Sequence, residues 1–192
     1  MLLVESDGKA LLRSGGIAVP QGTVVAAGET PTLTGAGPWI VKAQVPVGGR
    51  GKAGGVIRCD SAAAVNAELK RLFGISIKGH LVHRCLVEHA ATGTETYLSL
   101  MLDPASYGVR VTLIGEGGVN VEASGLSDHN TRLCDPEHAA IVAALRELTA
   151  EPALLDVSDK LARLFLDREL VLAEINRCSL ARTTASLATP SL

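Results

Sequence analysis

The chain has 192 residues, 47% of them hydrophobic, which is enough for one sizeable core or two small subdomains sharing one and implies a folded globular protein. Its 18 basic and 20 acidic residues are mixed along the sequence and leave a formal charge of −2, so charge recruits neither nucleic acid nor an anionic membrane. Two Phe, two Tyr and one Trp offer no platform for stacking bases, and no apolar run approaches the roughly 20 residues that cross a bilayer.

Met1 to Val4 is followed at once by Glu5, Asp7 and Lys9, unlike a signal peptide, so a cytoplasmic location is the expectation. Ser6 to Ser14 reads as a short helix stopped by Gly15-Gly16, and Ile17-Ala18-Val19-Pro20 as a strand-like exit. Thr23 to Ala26 is a strand before a loop rich in Gly and Pro. Trp39 to Val45 is the clearest strand, apolar and β-branched with Lys42 inside it, and it runs into the glycine-rich segment Gly48 to Gly55.

Asp60 or Ser61 is placed to cap a helix over Ala62 to Phe73, which Gly74 ends. Strands follow at His83 to Val87, Thr96 to Leu102 and Val109 to Leu113, a block that reads as antiparallel. Pro136 marks a helix start, with helical spacing from Ala139 to Leu148 and again from Ser158 to Leu166 before a strand over Leu170 to Ile175. The order is α+β. Cys59, Cys85, Cys134 and Cys178 fit neither a zinc pattern nor a disulfide framework and read as reduced, mostly buried thiols.

Chemistry concentrates in a few stretches. Gly48 to Gly55 holds five glycines with Arg50 and Lys52; glycine lets backbone approach a phosphate and the cations neutralise its oxygens. The segment lacks both the Walker A ending and the Rossmann spacing, and its bland alternative is a solvated loop. A lysine inside an apolar strand is costly unless its ammonium meets an anion, so Lys42 points the same way; the alternative is an edge-strand lysine whose head reaches water. Glu88 ends one strand and Glu95 begins the next, a pair suited to ribose hydroxyls or a base, or else two solvated turn acids. Glu174 and Asn176, two apart on a strand, share a face and suit Mg²⁺ on a nucleotide, though an Asn at a strand end also makes turns.

These pieces, in order, resemble one family. Gly37-Pro38-Trp39-Ile40-Val41-Lys42-Ala43-Gln44-Val45, the loop Gly48-Gly49-Arg50-Gly51-Lys52-Ala53-Gly54-Gly55-Val56, Leu86-Val87-Glu88, Glu95-Thr96-Tyr97-Leu98, Glu116-Gly117-Gly118-Val119 and Glu174-Ile175-Asn176 are similar to the ATP-grasp domain of succinyl-CoA synthetase (succinate-CoA ligase) beta subunits. The likeness spans about Leu3 to Asn176, beginning with Glu5, Lys9-Ala10 and Ile17-Ala18-Val19-Pro20. It implies an ATP-grasp fold over residues 1–176, in two α/β subdomains with a nucleotide cleft between them. The N-terminal subdomain covers about 22–95.

The resemblance further implies that Lys42 contacts the phosphates of ATP or ADP and that Gly49, Arg50 and Gly51 cover them. Glu88 then lies at the hinge near the base, Glu95 at the ribose, and Asn176, with Glu174, on Mg²⁺. The implied partner is an alpha-type CoA-binding subunit, or a separate ligase domain, that carries a phosphohistidine. His80, His83, His89, His129 and His138 are therefore not assigned to catalysis.

The sequence also departs from the family. Only Gly28 to Thr34 stands where the family has a helix between its first strands. No carboxylate side chain follows Glu174, so the second metal aspartate is missing, Arg177 replaces a usual proline, and metal binding is expected to be weak. Residues 177–192 read as a divergent, weakly ordered tail. The family's C-terminal ligase domain has no counterpart here, which leaves an enzyme component completed in trans or belonging to a longer chain, or a degenerate, non-catalytic ATP-grasp scaffold.

Overall fold

A computed structural model describes residues 3–90, 95–115 and 130–179, with both helices and sheets, as the α+β reading expects. The chain forms two compact units that divide after Ala91.

The first unit contains α1 (Glu5–Ser14), β1 (Gly22–Ala26), β2 (Trp39–Ala43), β3 (Val56–Cys59), α2 (Ala62–Leu72), the two-residue strands β4 (Ser76–Ile77) and β5 (His80–Leu81), and β6 (Arg84–His89). Four of its strands make one antiparallel sheet in the order β1-β6-β2-β3. Alternation along β2 sends Trp39, Val41 and Ala43 to the core, where they join Val65, Leu69 and Leu72 of α2 and Cys85 and Val87 of β6. Ile40 and Lys42 take the opposite face.

Local chemistry sets the ends of these elements. Val4, the N-cap of α1, gives no side-chain cap, whereas the Ser61 hydroxyl accepts from the Ala64 amide at 3.1 Å and starts α2. The C-terminus of α1 closes when Gly16, at φ 75°, donates to the Arg13 carbonyl and Ile17 to that of Leu12. That closure corrects the strand-like reading of Ile17 to Pro20: the Ile17 amide belongs to the helix end and its side chain is buried, leaving irregular backbone where a strand was expected. Lys78 and Gly79, both at positive φ, turn β4 into β5.

The second unit contains β7 (Glu95–Asp103), β8 (Gly108–Ile114), β9 (Thr131–Cys134), α3 (His138–Leu148), α4 (Pro152–Asp167) and β10 (Leu172–Ser179). Its sheet is antiparallel in the order β10-β7-β8-β9. Leu98, Leu100, Val109 and Val111 of the strands are buried, as are Ile141, Leu145, Leu161 and Phe165 of the helices. Pro152 opens α4 six residues ahead of the expected Ser158, because proline suits the first helical turn, where the amide it lacks would have no intrahelical partner. The block read as one antiparallel set divides between the sheets: β6 pairs with β1 and β2, while β7 and β8 pair with each other.

Candidate functional site

Lys42 sits on a strand whose other face is packed in the core, and its side chain is only 17% exposed. Such an ammonium is stable only with anions beside it, and two carboxylates supply them. Glu5 of α1 meets the Lys42 Nζ at 2.7 Å and Glu88 of β6 meets it at 2.6 Å. The sheet register explains the second contact. Glu88 lies opposite Ile40, two residues before Lys42 on β2, so the two side chains form a diagonal cross-strand pair on one face.

Two further cations complete the cluster. Lys9 lies one turn along α1 from Glu5 and reaches both carboxylates, at 2.9 Å to Glu5 and 2.5 Å to Glu88. Arg50, from the glycine-rich segment, donates through Nη2 to Glu5 at 2.7 Å and through Nη1 to the Ala43 carbonyl at 2.9 Å. Three cations thus surround two carboxylates. Burial alone would raise the Glu5 pKa, but attraction to Lys42 and Lys9 outweighs it and holds the carboxyl at about 2. Burial alone would likewise lower the Lys42 pKa, yet Glu5 and Glu88 hold it above its ordinary value.

The glycine-rich segment is fastened from three sides. Arg50 ties it to β2, Arg71 of α2 donates to the Gly54 carbonyl at 2.8 Å, and Lys78 donates to that of Gly48 at 2.8 Å. Gly49 is at φ 71°, which favours glycine, and a Cβ there would come within 3.2 Å of the Lys78 Nζ. A Cβ on Gly51 meets nothing within 4 Å, so no packing inside the unit explains a glycine there.

The structure therefore brings together Lys42, Arg50 and Glu88 of the residues read from sequence, with Gly49 and Gly51 on the segment that carries Arg50. Glu88 is 4% exposed, which removes its alternative as a solvated turn acid. Sequence reasoning gave Glu5 and Lys9 no role. Their signal was available in the i, i+4 spacing of opposite charges on a helix, a pattern that usually marks a solvated face. A cavity of 390 Å³ lined in part by Gln44, Pro46, His80, His83 and Arg84 also lies in the first unit, and its lining does not include Lys42, Arg50 or Glu88.

In the second unit, Glu95 opens β7 and Asn176 lies in β10, but both side chains fall outside the described residues, as does Glu116-Gly117-Gly118-Val119. Glu174 is exposed on β10 and accepts from the Tyr97 hydroxyl at 3.3 Å. Between Ile175 and Cys178 the pairing with β7 advances three residues against two, a one-residue bulge in β10. A hard cation suits the Glu174 carboxylate, but no cluster of three or more His, Cys, Asp or Glu able to hold a metal occurs among the described residues. Cys59 and Cys85 are buried free thiols and Cys134 is half-buried; the Cys178 side chain is outside the described residues.

The site thus joins an internal lysine on a strand to a fastened, basic, glycine-rich loop, in a chain of two units that each carry helices and a sheet. The model of the ATP-grasp domain matches residues 2–180, and the chain belongs to that family. It is 33% identical to the beta subunit of the ADP-forming succinate–CoA ligase of Acidovorax sp. (strain JS42), over 92% of this chain and 52% of that protein. The corresponding subunit of Chloroflexus aurantiacus (strain ATCC 29366 / DSM 635 / J-10-fl) is 34% identical over 92% of this chain and 50% of its own. The chain thus spans about half the length of the curated relatives it matches.

Solved structures share the fold at lower identity. A crystal structure from Pyrococcus horikoshii Ot3 superposes with a TM-score of 0.67 at 19% identity, covering 91% of this chain and 83% of that one. The ATP citrate lyase of Methanothrix soehngenii, solved with citrate and coenzyme A, gives 0.64 at 17% identity over 93% of this chain and 47% of its own. No helix among the described residues is long and apolar enough to cross a membrane.

Proposed function

We propose that this chain is the nucleotide-binding part of an ADP-forming acid–CoA ligase of the succinate–CoA ligase type, taking ATP or ADP at the Lys42 and Arg50 cluster. The observation that carries the proposal is the convergence of Lys42, Arg50 and Lys9 on two carboxylates beside a fastened glycine-rich loop. Three positive charges against two negative leave a net attraction for a phosphate, and the small residues at 49 and 51 let backbone amides approach its oxygens.

In this reading Lys42 and Arg50 hold phosphate oxygens, Gly49 and Gly51 cover them, Glu88 lies near the base and Glu95 receives the ribose hydroxyls. Glu174 and Asn176 would hold the Mg²⁺ of the nucleotide, which would neutralise phosphate charge there. One carboxylate and one amide make a weak site, since Mg²⁺ on nucleotides relies on one or two carboxylates plus the phosphates themselves. The relatives are named beta subunits, which supports an alpha-type subunit as the partner; in this reading that subunit, or a separate ligase domain, carries the histidine that exchanges phosphate with the nucleotide.

A second reading has its own support: the described cations of the cluster are already paired by Glu5 and Glu88, as expected of a scaffold that has kept the fold without the ligand. Phosphoryl transfer separates the two. Radiolabelled γ-phosphate should pass from ATP to an alpha-type subunit only when this chain and Mg²⁺ are present, whereas a scaffold transfers none even when the mixture assembles.

A further inference from the structure

We propose that Glu5 is a positioning residue for nucleotide capture: from α1 it spaces Lys42 and Arg50, one on each carboxylate oxygen, without itself touching the nucleotide. This rests on the nucleotide reading above and assigns to α1 a task inside the site.

The geometry of the carboxylate carries the inference. Oε1 takes the Lys42 ammonium and Oε2 the Arg50 guanidinium, each at 2.7 Å, so a single rigid group fixes two cations that lie on a strand and on a loop. Arg50 is held at its other nitrogen by the Ala43 carbonyl, which leaves the guanidinium little freedom while Glu5 is in place. An isolated arginine on a glycine-rich loop would lose considerable side-chain entropy on meeting a phosphate; one already fixed loses far less.

Glu5 is itself anchored from the strand it serves. The Ser6 amide, one of the first-turn donors with no intrahelical partner, donates to the Gln44 side-chain oxygen at 2.8 Å. The Gln44 amide nitrogen in turn donates to the Lys42 carbonyl at 3.0 Å, and Gln44 is 6% exposed. The residue two positions past Lys42 thus caps the helix that carries Glu5, closing a loop of contacts from Lys42 backbone through Gln44 and α1 back to the Lys42 ammonium. Glu88 and Glu5 together leave one positive charge of the three uncompensated, so a phosphate is attracted without Glu5 having to leave.

The opposite role, a carboxylate that competes with phosphate and must be displaced, makes the opposite prediction. Calorimetric titration of the full chain with ATP and Mg²⁺ should show Glu5→Gln binding about tenfold more weakly than wild type, the size expected when a charge-assisted hydrogen bond stops fixing a ligand group. In an Arg50→Gln background the same change should cost less than it does in the wild type, because one of the two cations through which Glu5 acts is already gone and only Lys42 remains; a purely structural residue would weaken both backgrounds alike. Glu5→Asp keeps the charge but is one methylene shorter, and it should fall between the two should Glu5→Gln melt at the assay temperature.

Unchanged or tighter binding by Glu5→Gln, or losses that multiply in the double variant, would overturn the positioning role while leaving nucleotide binding intact. No saturable binding by the wild-type chain would overturn the nucleotide reading, and this inference with it.

Discussion

The Glu5 carboxylate and the Arg50 guanidinium meet at 2.7 Å although 45 residues separate them, and the contact joins the first helix to the glycine-rich loop. Around it, charge that looks costly on a buried strand becomes a mutually compensated cluster, with consequences for stability and for ligand binding.

The first consequence is a dependence on pH. Glu5 is ordinarily protonated near pH 4.5 and is held to about 2 in the folded chain, so its contribution is complete above 4.5 and fades as pH falls toward 2. Acid unfolding followed by circular dichroism should therefore steepen in that window, and Glu5→Gln should flatten it. Lys42, whose folded pKa is raised from 10.5, acts at the other end: its contribution is complete below 10.5 and is lost as pH climbs through the raised value.

The glycines of the loop should separate packing from binding. A Cβ on Gly55 would meet the Ile77 Cδ1 at 2.7 Å and the Arg50 carbonyl at 3.2 Å, so Gly55→Ala should cost about 1–3 kcal/mol in urea unfolding. Gly51→Ala meets no neighbour and should change stability by no more than about 0.5 kcal/mol. If Gly51 lies under a phosphate, the same substitution weakens ATP binding; a Gly51→Ala chain that is both stable and fully competent would remove Gly51 from the site.

The sequence showed the apolar half of this arrangement far better than the charged half. The apolar, β-branched run over Trp39 to Val45 and the helical spacing over Ala62 to Phe73 located β2 (Trp39–Ala43) and α2 (Ala62–Leu72), because burial selects residue type strongly. β3 and β9, of four residues each, and the two-residue strands β4 and β5 are too short to show a period and exist through their partners. Lys42 was legible because a cation inside a strand is anomalous, and Arg50 because it sits among glycines. Glu5 and Lys9 were not, since an i, i+4 pair of opposite charges reads the same on a solvated helix as over a buried lysine.

The core of the first unit supplies a control on stability. Leu72 is fully buried with Val65 and Leu69 against β2, so Leu72→Ala should lower unfolding free energy by about 2–5 kcal/mol. A change well below 1 kcal/mol in chemical denaturation would mean that α2 does not pack on the sheet as described.

Thiol chemistry tests burial independently. Cys85 is fully buried and its thiol is pushed up to about 11 by that burial, so little thiolate forms at mildly alkaline pH. Modification of Cys85, read by mass spectrometry of peptides, should follow unfolding of the chain. Rapid labelling of Cys85 in the native chain would contradict its place in the sheet core.

Calorimetric titration with ATP and Mg²⁺, comparing the wild-type chain with Lys42→Ala, bears most directly on whether this cluster holds a nucleotide. Saturable binding by the wild type, lost or weakened at least about 100-fold in a Lys42→Ala chain that still folds, is the expected result. Equal affinity in the two chains, or no saturable binding by the wild type, would contradict it.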